Sequence, residues 1–400
     1  MTGTGGPLAG VRVLDLSRVL AGPYCTMLLA DLGASVVKVE RSGVGDQSRA
    51  WGPPFVGDGE STYFMCANRG KRSVAADLTS AAGVEVVRRL AATADVVVEN
   101  FLPGGAERLG LGRDQLCAER PALVYCSITG YPPESPDAAR PGFDFAIQGD
   151  GGIMSVTGER EGPPMKVGVA IVDITTGMLA ASGILAALLE ARLTGRARHV
   201  AISLFDAQLA WLGNRASEHL IGGVEPARYG NAHPAICPYE TFRAADGFVN
   251  VAVGTEGQYR ALCRALAAPE LATAEHYATN VQRVAHRDEL VPLLQAAIGR
   301  RAVADLLASF AAEGVPGGPV RTIPDVLAAA PWATVAHEHA TAGRVRTIRS
   351  PLAFDGANLT ASEAPPLLGQ QTEEVLRELG YDGDELATLL AGACRPGRAG

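Results

Sequence analysis

Val11-Arg-Val-Leu-Asp-Leu16, then Ala21 to Leu32, then Ala34-Ser-Val-Val-Lys-Val-Glu40 decide the fold. The outer two are short apolar runs rich in β-branched residues. The middle one opens with Gly22-Pro23 and stops at Gly33, as helices do. Strand, helix and strand in so short a space form a βαβ unit. The pattern repeats downstream: Ser73 to Leu78 reads as a strand, Ser80 to Thr93 as a helix, Ala94 to Glu99 as a strand, and Pro121 to Ile128 as another. Strands alternating with helices predict an α/β fold, a mostly parallel, Rossmann-like doubly wound sheet with ligands at the carboxyl ends of its strands.

From Ser135 to Lys166 the rhythm gives way to a Gly/Pro-rich stretch, and a long irregular segment inside a compact domain usually lines a site. It leads into Lys166-Val-Gly-Val-Ala-Ile-Val-Asp173 and then the small-residue helical pattern Met178 to Glu190. Asp173 is expected where an apolar strand hands over to a helix N-terminus. There orphan N–H groups and the helix dipole would keep its carboxylate ionised. Taken alone, the residue reads as a helix N-cap.

His199 to Leu204 reads as a strand and Phe205 to Leu220 as a helix. After Gly222-Gly223 the character changes. A hairpin-like unit from Tyr239 to Gly254, followed by helical patterns from Glu256 to Glu313, predicts a smaller α+β domain. The expected boundaries are 1–205 and 340–400 for the large domain, 225–325 for the small one, and linkers at 206–224 and 326–339. In the tail, a strand at Arg344 to Arg349 and a helix at Gln371 to Leu379 should rejoin the large domain.

The 400 residues suit more than one domain, and 47% hydrophobic content with 20% charged residues is enough to bury real cores. A net charge of −8 gives no basic footprint for nucleic acid, so an anionic ligand needs a local cluster of cations. Seven cysteines without a CxxC pair predict reduced thiols and a cytoplasmic protein. Met1-Thr-Gly-Thr-Gly-Gly-Pro7 has neither a signal-peptide nor a transit-peptide pattern. The apolar run Met178 to Leu189 is read as too short to span a bilayer, so neither membrane nor nucleic acid is an expected partner. Dinucleotide, P-loop, nucleophile-elbow and zincin motifs are absent, and His337-Glu-His339 reads as an exposed pair, so no metal is expected.

Several motifs, in order, carry a resemblance. They are Val13 to Arg41, Asn68-Arg-Gly-Lys-Arg-Ser73, Glu99-Asn-Phe-Leu-Pro-Gly104, Ser127-Ile-Thr-Gly-Tyr131 and Gly142-Phe-Asp144 with Gln148. Asp173, Gly230-Asn-Ala-His-Pro234 and Pro366-Leu-Leu-Gly-Gln370 complete the set. Together they resemble the class III CoA-transferases, the family of formyl-CoA transferase and the acyl-CoA racemases, over nearly the whole chain. Ala50-Trp-Gly-Pro-Pro-Phe55, Ser61-Thr-Tyr63 and the Pro366 motif resemble the branch that uses succinyl-CoA and dicarboxylates such as glutarate.

The resemblance implies an interlocked homodimer, coenzyme A or acyl-CoA as substrate with no permanently bound cofactor, and a small carboxylic acid as second substrate. It makes Asp173 the nucleophile, which carries the acyl group as a mixed anhydride and then CoA as an aspartyl thioester. Val19, Leu20 and Ala21 would line the CoA path. Ala76, Asn100, Phe101 and Tyr131 would contact the nucleotide or pantetheine, and Arg41 and Arg108, on loops after strands, would pair with the phosphates. Leu20 replaces a glutamine of formyl-CoA transferase, which argues against formyl or oxalate substrates, and Thr79 stands at a lysine position. Phe143 stands where the racemases carry their proton-moving histidine and cannot exchange a proton, which makes racemisation the minor alternative beside a silent CoA-binding protein. The distal carboxylate of a dicarboxylate needs a cation, for which Arg49, Arg72, Lys166 and His233 are the candidates. Glycine-rich loops at 149–152 or 222–223 are expected to close over the site and exclude water.

Overall fold

A computed structural model describes residues 5–118 and 120–396, so the N-terminal reading of Met1 to Thr4 lies outside the described residues. One compact unit takes in 5–153, 167–213 and 332–396, and a second takes in 154–166 and 214–331.

The first unit is built on six parallel strands, β1 (Arg12–Asp15), β2 (Ser35–Arg41), β3 (Lys71–Ala76), β4 (Val96–Glu99), β5 (Val124–Thr129) and β6 (Val200–Ser203). Their spatial order is β3-β2-β1-β4-β5-β6, the doubly wound order in which the winding reverses between β1 and β4. Its longer helices are α1 (Ala21–Asp31), α2 (Ala81–Thr93), α3 (Asp144–Asp150), α4 (Ile171–Thr194), α5 (Leu204–Trp211), α6 (Thr372–Glu378) and α7 (Gly383–Ala391).

Both faces of the sheet are covered, which is why its strands read as continuous apolar runs. Val13, Val36, Val96 and Val98 share a core with Cys25 and Leu29 of α1 and Ala180 and Ile184 of α4. The alternate residues Leu14, Val37 and Val97 share one with Val86 and Leu90 of α2, Val375 of α6 and Leu386 of α7. The tail therefore belongs to this unit.

α4 differs most from expectation. Residues 167–170 are irregular rather than a strand, and the helix starts at Ile171, so Asp173 lies inside its first turn and Ala170 is the N-cap. The Thr175-Thr176-Gly177 step is part of the same helix. Gly177 is required there because a Cβ would lie 2.6 Å from the Ala21 carbonyl oxygen, where α4 crosses the start of α1. At 24 residues α4 is long and apolar enough by length and composition to cross a membrane, unlike the shorter run expected, although 50% of its most apolar window is buried inside the protein.

Other boundaries also shift. The expected linker 206–224 contains most of α5 and the helix Gly213–Leu220, and 326–339 contains the end of the helix Ile323–Ala329. The irregular stretch 135–166 holds α3 and divides between the two units at Ile153.

The second unit has an antiparallel sheet of β7 (Tyr239–Arg243), β8 (Phe248–Ala252) and β9 (Gly317–Pro319), in the order β9-β8-β7. Helices Glu256–Ala265, Arg287–Ile298 and Val303–Glu313 bury Leu262, Leu294 and Phe310 with Phe242 and Val251.

In the first unit β10 (Thr334–His339) and β11 (Gly343–Ile348) form an antiparallel hairpin. The two histidines of β10 share one face and are buried, contrary to the exposed reading, with His337 between the Ser362 carbonyl and the Thr347 hydroxyl.

Candidate active site

A cavity of about 220 Å³ opens at the carboxyl ends of β1, β4 and β5, where the winding reverses. Arg18, Val19, Leu20 and Ala21 form one part of its wall, Asn100 and Phe101 another, and Phe143 and Asp173 a third. Asp173 is only 8% exposed. Burial and the neighbouring charge of Asp144 push its carboxyl up to about 7.

The reason lies one helix away. Asp144, in the first turn of α3, accepts hydrogen bonds from the Val172 and Asp173 N–H groups at 2.8 and 3.4 Å, and from Gln148 Nε2 at 2.7 Å. The orphan N–H groups expected to hold Asp173 ionised are thus satisfied by another carboxylate. Among the described residues no cation pairs with Asp173. Tyr63 lies in the same electrostatic neighbourhood: burial and then the Asp173 charge push its hydroxyl up to about 12, and its ring stands edge-on to Trp51 at 5.0 Å.

The loop after β1 is pinned at each residue. Ser17 donates from its N–H to Asp15 at 2.9 Å, and its carbonyl accepts from Lys38 Nζ at 2.8 Å. The Asn100 side chain accepts from the Arg18 N–H and donates to the Arg18 carbonyl, both at 2.9 Å, as a neighbouring strand would. Asn100 therefore serves the loop first, rather than only contacting a ligand. α1 starts at this wall with Leu20 as N-cap and no side chain capping it.

A second cavity of about 400 Å³ shares Arg18 and Phe101 with the first and is lined also by Arg41, Asp46, Ala76, Thr79 and Leu109. Arg41 is exposed at the end of β2 and makes no ion pair among the described residues.

The CoA-transferase family III model matches residues 8–372. This chain belongs to that family. It is an enzyme that transfers CoA, and CoA thioesters are its substrates. It is 44% identical over 382 residues to succinate–glutarate CoA-transferase of Agrobacterium fabrum, covering 93% of this chain and 96% of that protein. It is 39% identical to human succinyl-CoA:glutarate CoA-transferase, covering 96% of this chain and 89% of the human one. A CAIB/BAIF family protein from Brucella suis, 43% identical, superposes with a TM-score of 0.84 over 94% of this chain and 100% of that one.

In this family III CoA-transferase the structure brings Asp173, Val19, Leu20, Ala21, Asn100 and Phe101 to one cavity and Arg41, Ala76 and Phe101 to the other. It does not bring Tyr131 to either. That side chain is buried, donates its hydroxyl to Asp150 and lies 4.9 Å beneath the Arg140 guanidinium, because the chain turns inward after the Thr129-Gly130 pair that does line the cavity. Arg108 lines neither cavity and is the exposed last residue of a short helix, Gly105–Arg108, rather than lying on a loop.

Two of the expected carboxylate anchors are committed elsewhere. Arg49 clasps Glu40 with two hydrogen bonds at 2.7 and 2.8 Å, touches Glu60 at 3.3 Å and lies 3.6 Å over the Phe64 ring. Arg72 pairs with Glu374 and Glu378 of α6 at 3.1 and 2.7 Å. Lys166 and His233 belong to the second unit, where His233 Nδ1 accepts from the Ala235 N–H at 3.1 Å. Of the two glycine loops, 149–152 is partly helical, since Gly149 and Asp150 are the last two residues of α3. Arg18, Gln47 and Arg140 also line the first cavity, and the sequence signal for Arg18 is its place in the Val13 to Arg41 motif, three residues after β1 ends at Asp15.

Proposed function

We propose that the enzyme moves CoA from succinyl-CoA to glutarate or a closely related dicarboxylic acid, with Asp173 as the covalent carrier. One observation carries this reading. A buried carboxylate without a cationic partner opens on a cavity that adjoins a second one, which Arg41 lines and which shares Arg18 and Phe101 with the first. A thioester at Asp173 with its nucleotide beside Arg41 suits that arrangement.

The ionised Asp173 attacks the thioester carbonyl, the C–S bond breaks, and a mixed acyl-aspartyl anhydride forms with CoA thiolate as the leaving group. The thiolate attacks the aspartyl carbonyl and releases the donor as a carboxylate, leaving CoA on Asp173. The acceptor carboxylate attacks this thioester to form a second anhydride, and the thiolate then attacks the acceptor's carbonyl, giving the new acyl-CoA and free Asp173. No proton is consumed. Each intermediate keeps an activated carbonyl, so water must be kept out. The uncapped start of α1 supplies N–H donors for the oxyanion that precedes each bond breakage.

Glutarate is favoured because the relatives' names include succinate–glutarate CoA-transferase and succinyl-CoA:glutarate CoA-transferase. We also propose a homodimer, interlocked and cytoplasmic. Leu185, Leu189 and Leu193 of α4 are exposed, and a second copy of the chain would cover them. The seven cysteines are free thiols, as a reducing compartment requires.

The test is exchange of isotopically labelled succinate into succinyl-CoA, together with glutaryl-CoA formation from glutarate. The wild type should do both. Asp173→Ala should lose both by at least about 10,000-fold while still binding CoA. An active Asp173→Ala protein would refute the mechanism, and wild-type exchange without glutaryl-CoA would refute only the acceptor.

A further inference from the structure

Val19 shares the cavity wall with Asp173 and has a φ of 71°. For a β-branched residue this left-handed conformation is disfavoured, because the branched Cβ crowds its own backbone. It persists only where the surroundings over-determine it. Here the Val19 N–H reaches both carboxylate oxygens of Asp46, at 3.2 and 3.1 Å. Asp46 is itself fixed: Lys38 Nζ pairs with it at 3.0 Å, and the Ser48 N–H and hydroxyl donate to it at 3.0 and 2.8 Å. Its own N–H donates to Glu40 at 3.0 Å. With Arg18 held by Asn100, the turn cannot relax through the residue before it.

We propose that Asp46 is a positioning residue of the transferase: it holds Val19 left-handed, and through Val19 it sets the wall against which Asp173 meets the thioester. The proposal rests on reading this cavity as the acyl-CoA site. A role confined to general stability would leave the effect of changing Asp46 independent of which side chain stands at position 19. A positioning role would not, since glycine adopts the left-handed conformation without the cost that valine bears.

The experiment is a double-mutant cycle in the full-length enzyme, read as kcat and KM for succinyl-CoA with glutarate, beside thermal unfolding. Asp46→Ala, which leaves no oxygen for the Val19 N–H, should lower kcat/KM by about 30-fold with Val19 present. In a Val19→Gly background the same change should lower it by no more than about 3-fold. If Asp46→Ala unfolds the protein by leaving Lys38 unpaired, Asp46→Ala combined with Lys38→Gln replaces it in both backgrounds. That pair is neutral and retains a donor for the Ser17 carbonyl. Equal losses in the two backgrounds, or no loss with Val19 present, would overturn the proposal. Asp173→Asn is measured alongside, and activity in that variant would overturn the reading of the cavity rather than the role of Asp46.

Discussion

Asp15 and Asp173 are buried aspartates of the same unit, one ending β1 and the other in the first turn of α4, and their surroundings drive them in opposite directions. Burial disfavours the charged form of both. At Asp15 that penalty is outweighed by the charges of Lys71 and Lys38 and by hydrogen bonds from Ser17 and Thr26, which hold it at about 2. Lys71 sits 3.1 Å away and also reaches the Pro23 carbonyl and Asn68. At Asp173 nothing offsets burial, and Asp144 adds to it, giving about 7. A buried carboxylate whose acceptor sites are filled by its own protein is a fastening. One that is left without a cation, beside a second carboxylate and a cavity, is available for chemistry.

The comparison can be broken at either end. Asp15→Asn should be the most damaging to the fold, costing roughly 3–5 kcal/mol in denaturant unfolding because Lys71 and Lys38 lose a buried counter-charge. A cost below about 1 kcal/mol would mean that Asp15 is not the fastening described.

Asp173→Asn should do the reverse. Its folded-state pKa lies above the ordinary carboxylate value, so its contribution to stability is complete below about pH 4 and is lost as pH rises through about 7. Removing the charge should therefore stabilise the protein at about pH 8 by roughly 2–4 kcal/mol, and by little near pH 4. Destabilisation at the higher pH would contradict the assignment.

The smallest effect is kinetic. The wild-type kcat/KM for the acyl-CoA should rise with pH and level off above about 7, as Asp173 ionises. Asp144→Asn keeps an oxygen for the Val172 and Asp173 N–H groups but removes the like charge, so the limb should move down by about one pH unit.

Much of the scaffold was legible because its signals are local. The β-branched runs and the Gly22-Pro23 and Gly33 boundaries are sequence neighbours, and they identify β1, α1 and β2 with little error. Asp173 was legible only as part of a motif set. Its surroundings were misread because the decisive partner, Asp144, is 29 residues away in the chain and takes the N–H groups that local reasoning assigned to Asp173 itself. The same holds for Arg49. Nothing adjacent in sequence says that Glu40 and Glu60 close around it, so a cation that looked available for a dicarboxylate is a structural clasp. Lys166-Val-Gly-Val-Ala-Ile-Val172 has the composition of a strand, but the sheet places β6 beside β5, and the segment runs irregularly into α4. Asp46 shows no pattern in sequence at all, since its importance depends on a backbone angle at Val19.

The most direct test is chemical trapping at Asp173. The wild-type enzyme, incubated with succinyl-CoA and then quenched with hydroxylamine, should carry a hydroxamate on the Asp173 side chain, identified by peptide mass spectrometry. The label should be absent without succinyl-CoA. A fully active enzyme that gives no hydroxamate at Asp173, or gives it on another carboxylate, would contradict the account.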